Sequence, residues 1–350
     1  MAYPTLRENA VYSTEKAKSA LYNMISRIVT HGNYIANKSV TKLADKARIE
    51  GAEFGDTVIY RASDLLKSRE FDPDDANVLA PEQIANIKEQ PIVMDVFRQI
   101  GLTLPTNFLA KQAMDKEGSW AAFAAVIEGL LRDTKDFHDG RTYNVFLGTD
   151  KGYKSDAKTE QKVAVGSDGK TIATNVVKLV NELGDGTRDY NEYGFMRSYN
   201  KGDLKFVWNA DYLAQINYQE LPAVFHDEGL KAIFSEENIL PAKYFGKLNA
   251  AKDTSVATDR AAEECEIDGV VYYPGDLIPA GKTITGISTY TADATIVGKV
   301  YSELPPFMSG IDTASEFNNV KNFSRNLYLT WGHNTLEHLK DCPSITLVTK

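Results

Sequence analysis

Cysteine is nearly absent from this chain: Cys265 and Cys342 are the only two in 350 residues. Two cysteines so far apart make no disulfide framework, and their scarcity fits a reducing compartment. Basic charge is also short. The chain has 39 Lys and Arg against 48 Asp and Glu, a net charge of −9. A protein that grips nucleic acid displaces counterions from phosphates with Lys and Arg. This balance excludes a dedicated DNA binder, though not a protein that merely encloses DNA. No run of 18 apolar residues exists, so no transmembrane helix is expected. The first residues, Met1-Ala2-Tyr3-Pro4-Thr5-Leu6-Arg7-Glu8-Asn9, hold no apolar stretch of the signal-peptide kind. The expectation is a protein made and kept in cytoplasm, away from membranes.

What is present is an ordinary globular composition. Hydrophobic residues make up 43% and charged residues 25%, and the 18 Tyr, 15 Phe and 3 Trp exclude a disordered chain. The length suggests about two domains and is ample for a sizeable core.

Along the chain, a polar arm leads into a helix over about 14–31, with Leu21, Met24, Ile25, Ile28 and Val29 on one face. Residues 40–75 read as a long exposed excursion with little core of its own. It holds a strand at Thr57-Val58-Ile59-Tyr60 and a turn cluster at Phe71-Asp72-Pro73-Asp74-Asp75. Ile92-Val93-Met94-Asp95-Val96-Phe97-Arg98-Gln99-Ile100 is apolar and ambiguous between helix and strand. The strongest helix opens at Ser119, with Trp120, Phe123, Ala124, Ile127, Leu130 and Leu131 as its stripe. A polar break is expected at Asp139-Gly140, with a strand after it. A short strand at Val163-Ala164-Val165, a helix over 172–183, a strand at 204–208 and a short helix from Asp211 follow. Closely spaced Gly and Pro turns over 262–300 predict a small β insertion. The tail returns to core strands at 326–331 and 345–348.

Three patterns could carry chemistry. Ala164-Val165-Gly166-Ser167-Asp168-Gly169-Lys170-Thr171 fits a relaxed phosphate loop between a strand and a helix, with Lys170 as the phosphate ligand. Its first Gly is replaced by Ala164, and Ser-Asp-Gly is also a plain turn. His333 and His338 are five apart, which on a helix puts them on different faces. His31, His138 and His226 are isolated. Asp72, Asp74 and Asp75 resemble a calcium loop, but Ala76, Asn77 and Gln83 fall where ligands and the Gly should stand. No catalytic, metal or cofactor-binding residue is assigned, and no cofactor is expected.

The order of elements carries more than any motif. Phe54-Gly55-Asp56-Thr57-Val58-Ile59-Tyr60-Arg61, Gly118-Ser119-Trp120-Ala121-Ala122-Phe123, Asn209-Ala210-Asp211-Tyr212-Leu213 and Asn322-Phe323-Ser324-Arg325-Asn326-Leu327-Tyr328 resemble major capsid proteins of tailed bacteriophages with the Hong Kong 97-type fold. The likeness is nearest to small podophage heads of the phi-twenty-nine kind. It implies an α+β fold divided into an arm and helix (1–40), an extended loop with peripheral strands (41–117), a spine-helix region (118–160), an axial domain (161–325) and returning strands (326–350). The implied role is a non-enzymatic shell subunit. Copies would assemble into pentamers and hexamers around DNA, with portal, scaffold and decoration proteins as partners. The alternatives are an encapsulin-like compartment shell and a nucleotide-binding enzyme using Lys170.

Overall fold

In the computed structural model the described residues are 40–49, 55–66, 68, 87–105, 117–150, 162–216, 233–234, 238–248, 252–255, 260–261, 265–267, 270–272, 277–278, 280–281, 283–287, 290–319 and 324–350. The expected helix over 14–31, the turn at 71–75, His31 and His226 lie outside them. The chain divides into two units, one holding residues 1–63, 86–144 and 304–338, the other 64–85, 145–303 and 339–350.

The first unit is built on a sheet of five strands. They are β1 (Arg48–Ile49), β2 (Thr57–Ala62), β3 (Lys88–Pro105) and, from the end of the chain, β17 (Phe307–Asn319) and β18 (Ser324–Asn334). Their order is β1-β17-β18-β3-β2, antiparallel but for β1 against β17. The ambiguous segment 92–100 is thus strand, the middle of an 18-residue β3. At ~3.3 Å per residue that is roughly 60 Å of extended chain. Strict alternation settles it: Gln90, Ile92 and Met94 are buried, and Pro91, Val93 and Asp95 are exposed.

The long helix runs unbroken from Glu117 to Gly148; at 1.5 Å per residue it is roughly 48 Å long. The break expected at Asp139-Gly140 does not occur. Asp139 is buried and paired, and a Cβ on Gly140 would stand 2.6 Å from the Val40 carbonyl oxygen. Residues that read as a polar stop are a buried charge and a close backbone crossing. Asn144 Nδ2 donates to the same Val40 oxygen at 2.9 Å, tying the chain entering helix Lys42–Ala47 to the long helix. Leu43 and Ala44 of that short helix are buried. The 40–75 excursion, expected to have little core of its own, is anchored at its start.

The second unit's main sheet has the order β5 (Lys162–Ala164), β19 (Ser344–Val348), β16 (Ile296–Tyr301), β6 (Lys205–Asn209) and β7 (Ile239–Leu240). The intervening strands are β4 (Thr149–Asp150), β5 (Lys162–Ala164), β6 (Lys205–Asn209), β7 (Ile239–Leu240) and β8 (Gly246–Leu248). Next come short strands β9 (Lys252–Ser255), β10 (Arg260–Ala261), β11 (Cys265–Ile267), β12 (Val270–Tyr272), β13 (Leu277–Ile278), β14 (Thr283–Ile287) and β15 (Tyr290–Ala292). The last core strands here are β16 (Ile296–Tyr301) and β19 (Ser344–Val348). Helix Gly169–Asp185 lays Ile172, Ala173, Val176, Leu179, Val180 and Leu183 against Phe206, Trp208, Val297, Val300, Ile345 and Leu347. Each fully buried Leu, Ile or Val there contributes roughly 1.5–3 kcal/mol. Asn209 caps the next helix, Ala210–Gln215, accepting from Asp211 N at 3.2 Å.

The β insertion ends sooner than the turn pattern suggested. Small antiparallel pairs do occupy this stretch, as in β11 with β12. Residues 296–300, read with the insertion, belong instead to β16, paired on both sides and buried throughout. Gly298 on it lets the neighbouring strand pass closely: a Cβ there would meet the Val207 carbonyl oxygen at 2.8 Å.

Candidate functional site

The turn at 164–171 is closed by its own groups. β5 lies at the edge of its sheet, parallel to β19. Val165 N donates to Val348 O at 2.8 Å, and Asn175 Nδ2 donates to Val165 O at 3.0 Å. Gly166 has φ +93°, and a Cβ on it would lie 2.8 Å from Thr171 Cγ2. The Thr171 hydroxyl donates to Asp168 Oδ2 at 3.4 Å. Asp168 is the N-cap of helix Gly169–Asp185. A carboxylate therefore sits where a phosphate would have to use the helix's positive end. Lys170 is exposed.

His138, read as isolated, is brought by the long helix to within 6.3 Å of the His333 ring, centroid to centroid. His333 is on β18 and His338 in the loop after it, and both are buried. Cys342 is a free thiol; burial pushes its pKa up, the reverse of an activated nucleophile. Among the described residues no group of three or more His, Cys, Asp or Glu could hold a metal ion.

What sequence reasoning missed is the group around Asp139. Asp139 Oδ2 accepts from Lys135 Nζ at 2.8 Å and from the Ser309 hydroxyl at 2.6 Å, and its Oδ1 accepts from Trp331 Nε1 at 3.0 Å. One buried carboxylate thereby fastens the long helix to β17 and β18. Burial alone would raise its pKa; the His138 ring, the Lys135 ammonium and the Ser309 hydroxyl outweigh that and hold it at about 2. The i, i+4 spacing of Lys135 and Asp139 was the available signal. Such pairs usually face water, and nothing local marked this one as internal. In the same unit the Tyr143 hydroxyl donates to Pro305 O at 2.7 Å.

The first unit's sheet also exposes several large apolar side chains on one face, among polar ones. Val93 lies opposite Thr57 and Ile59 opposite Pro91, so all four point the same way. Phe97, four residues beyond Val93, shares that side, as does Phe317 through Asn326 and Thr103. Ile59, Val93, Phe97 and Phe317 are 38–60% exposed. On this face Tyr328 lies over Gly101, 3.2 Å from where a Cβ would stand. In the second unit, Asp64 accepts from Arg188 Nη1 at 2.6 Å and from Met196 N at 3.0 Å. The Arg188 bond holds its carboxyl down at about 2.

One unit with a long, mostly antiparallel sheet and a long helix, and another with a mixed sheet and its own helix, define a known class. Among solved structures the chain resembles one titled the capsid structure of Staphylococcus phage Andhra, with a TM-score of 0.60 and 9% identity over 87% of this chain and 83% of the other. It also resembles a chain in the structure of the head fiber and inner core protein gp22 of native bacteriophage P68, with a TM-score of 0.58 and 10% identity over 87% and 83%. These likenesses establish the fold, the α+β Hong Kong 97-type shell fold. A family model for the Phi29-like phage major capsid protein matches residues 12–299. The chain belongs to that family and is a structural subunit of a phage capsid. No curated protein sequence matches it. The family match favours a phage head over a cargo compartment of the same fold.

Proposed function

We propose that copies of this chain form pentamers and hexamers that close into an icosahedral or prolate shell around genomic DNA, without sequence-specific contacts to it. Head-to-tail contacts of one surface with another close into rings, and many modest contacts give a closed shell large avidity. In this reading the first unit supplies the extended loop, spine helix and peripheral strands, and the second is the axial domain. The chain carries no catalytic, metal or cofactor residue and is not an enzyme. Portal, scaffold and decoration proteins are its partners, and assembly takes place in host cytoplasm.

One observation carries the reading: in a chain of the capsid family, one sheet face exposes the large apolar side chains of Ile59, Val93, Phe97 and Phe317 among its polar residues. Scattered apolar residues on a surface need no explanation, but an aligned set along one face marks a place for a partner. The test is electron microscopy of the purified chain, alone and with its head partners. Capsomers, shells or tubes are expected. A monomer under every condition would overturn the proposal.

A further inference from the structure

His333 is 6% exposed, and its surroundings leave one ring nitrogen bare. Nδ1 lies 3.0 Å from Asn334 O. A carbonyl oxygen only accepts, so Nδ1 carries the hydrogen and Nε2 is left as a lone pair. Nε2 is buried with no hydrogen-bond partner. A buried acceptor without a donor is costly and calls for an explanation.

The ring faces the Asp139 fastening. Its centroid is 6.3 Å from that of His138 and 6.4 Å from that of Phe307. His138 in turn stands edge-on to Trp331 at 5.7 Å, with its Nδ1 3.9 Å from Asp139 Oδ1. Among the described residues, the groups that set the charge around His333 lie on the long helix and β3. The long helix brings Lys135, His138 and Asp139, with Asp136 at the half-exposed rim 3.9 Å from Lys135. β3 brings Arg98, and β17 brings Ser309 and Phe307, which are uncharged. Asp139 is already engaged by Lys135, and the Arg98 charge disfavours a further positive charge on His333. A proton on Nε2 would add a second positive charge beside a carboxylate that Lys135 already neutralises, and burying an uncompensated charge is expensive.

We propose that His333 is a proton-operated latch: protonation at Nε2 puts an unmatched positive charge beside Asp139 and loosens the seat of the long helix on β17 and β18. The binding site is the bare nitrogen, and its ligand is a proton. Burial holds the imidazole pKa below its ordinary value; the Arg98 charge and His138 act the same way, while the Asn334 carbonyl and Asp139 oppose them. A base whose folded pKa is lowered leaves the closed state intact above its ordinary value and weakens it as pH falls below. The latch is shut at neutral pH and opens in mild acid, starting near the ordinary imidazole value of ~6.5.

The test is hydrogen exchange of the full-length chain, as shells and as unassembled subunits, between pH 7.5 and 5, corrected for the intrinsic exchange rate. In the wild type, peptides over 131–144, 305–310 and 327–334 should open progressively below pH 6.5, by up to about tenfold per pH unit for one proton. Peptides over the helix at 169–185 should stay flat. His333→Gln and His333→Phe cannot take the proton and should flatten the response; His138→Gln should keep it. Either His333 variant suffices if the other does not fold. A flat wild-type response overturns the proposal even without variants. So does a slope that survives both His333 changes, or one abolished only by His138→Gln.

Discussion

The two units solve the same packing problem in opposite ways. In the second, helix Gly169–Asp185 meets its sheet mainly through aliphatic and aromatic side chains, with Trp208 stacked on Phe206 at 5.6 Å and tilted against Phe234 at 5.2 Å. The one polar atom of Trp208 is satisfied by Ile233 O at 2.9 Å. In the first, the long helix meets its sheet through Lys135, Asp139, Ser309 and Trp331, while Ile59, Val93, Phe97 and Phe317 face outward. The second unit rests mainly on its apolar core, although it also buries Lys299 and Asp150. The first unit keeps apolar surface outside and fixes its helix with directional bonds. Such bonds add little net stability, yet they hold one geometry and respond to protonation.

The sharpest way to break this comparison is to strike each centre at once. Trp208→Ala should cost about 3–5 kcal/mol in urea unfolding, through lost burial and the cavity left behind. Asp139→Ala should cost a similar ~3–5 kcal/mol, because Lys135 would be left buried without its partner. The two differ in what repairs them. The double change Lys135→Met with Asp139→Leu removes both charges and should recover most of the loss. If the double variant is no better than Asp139→Ala alone, the pair is not the main source of the cost.

Acid gives the next effect in size. Asp139 is held at about 2, below the ordinary carboxylate value of 3.8. Its contribution is therefore complete above pH ~4 and lost as pH falls toward 2, on the order of 2–3 kcal/mol in all. Unfolding free energies measured from pH 5 to pH 2 should show that decline, and it should be absent in the Lys135→Met, Asp139→Leu double variant. An unchanged decline would place the acid sensitivity elsewhere. This window lies well below the one assigned to His333, so the two are separable.

The outward face should behave in the reverse sense. Ile59→Ser, Val93→Ser and Phe97→Ser should each leave subunit stability within about 0.5 kcal/mol, since these side chains are already exposed. Combined, they should impair shell formation, read by electron microscopy against unfolding curves of the same samples. Normal shells from the triple variant would leave the face without a partner.

The contrast also explains what was legible in the sequence. The second unit was readable because its pattern is local: Ile172, Val176, Leu179 and Leu183 recur at helical spacing, and Leu204 to Trp208 read as a strand. The first unit was harder because its decisive features are non-local. Asp139-Gly140 looks like a helix stop until Val40 and Trp331, far away in sequence, are seen to require an acid and a bare backbone there. β3 was ambiguous because its residues 92–97 are nearly all apolar, one face buried and the other uncovered, which hides the alternation.

The smallest expected effect is at Lys170, and it tests whether the second unit's helix has any work besides packing. Lys170 is exposed at the first turn of helix Gly169–Asp185, beside an N-cap Asp168 that already supplies negative charge at the helix's positive end. A phosphate there would meet carboxylate repulsion, and the turn's Val165 N, Thr171 hydroxyl and Asn175 amide are bonded within the protein. A lysine near a helix N-terminus also gains nothing from the dipole. Lys170→Ala should therefore shift stability by no more than about 0.5 kcal/mol and leave assembly intact. Calorimetric titration of the wild-type subunit with ATP and magnesium should give no binding heat. Specific binding that disappears in Lys170→Ala would mean that this closed turn opens for a nucleotide, and the second unit would then be more than a packed support.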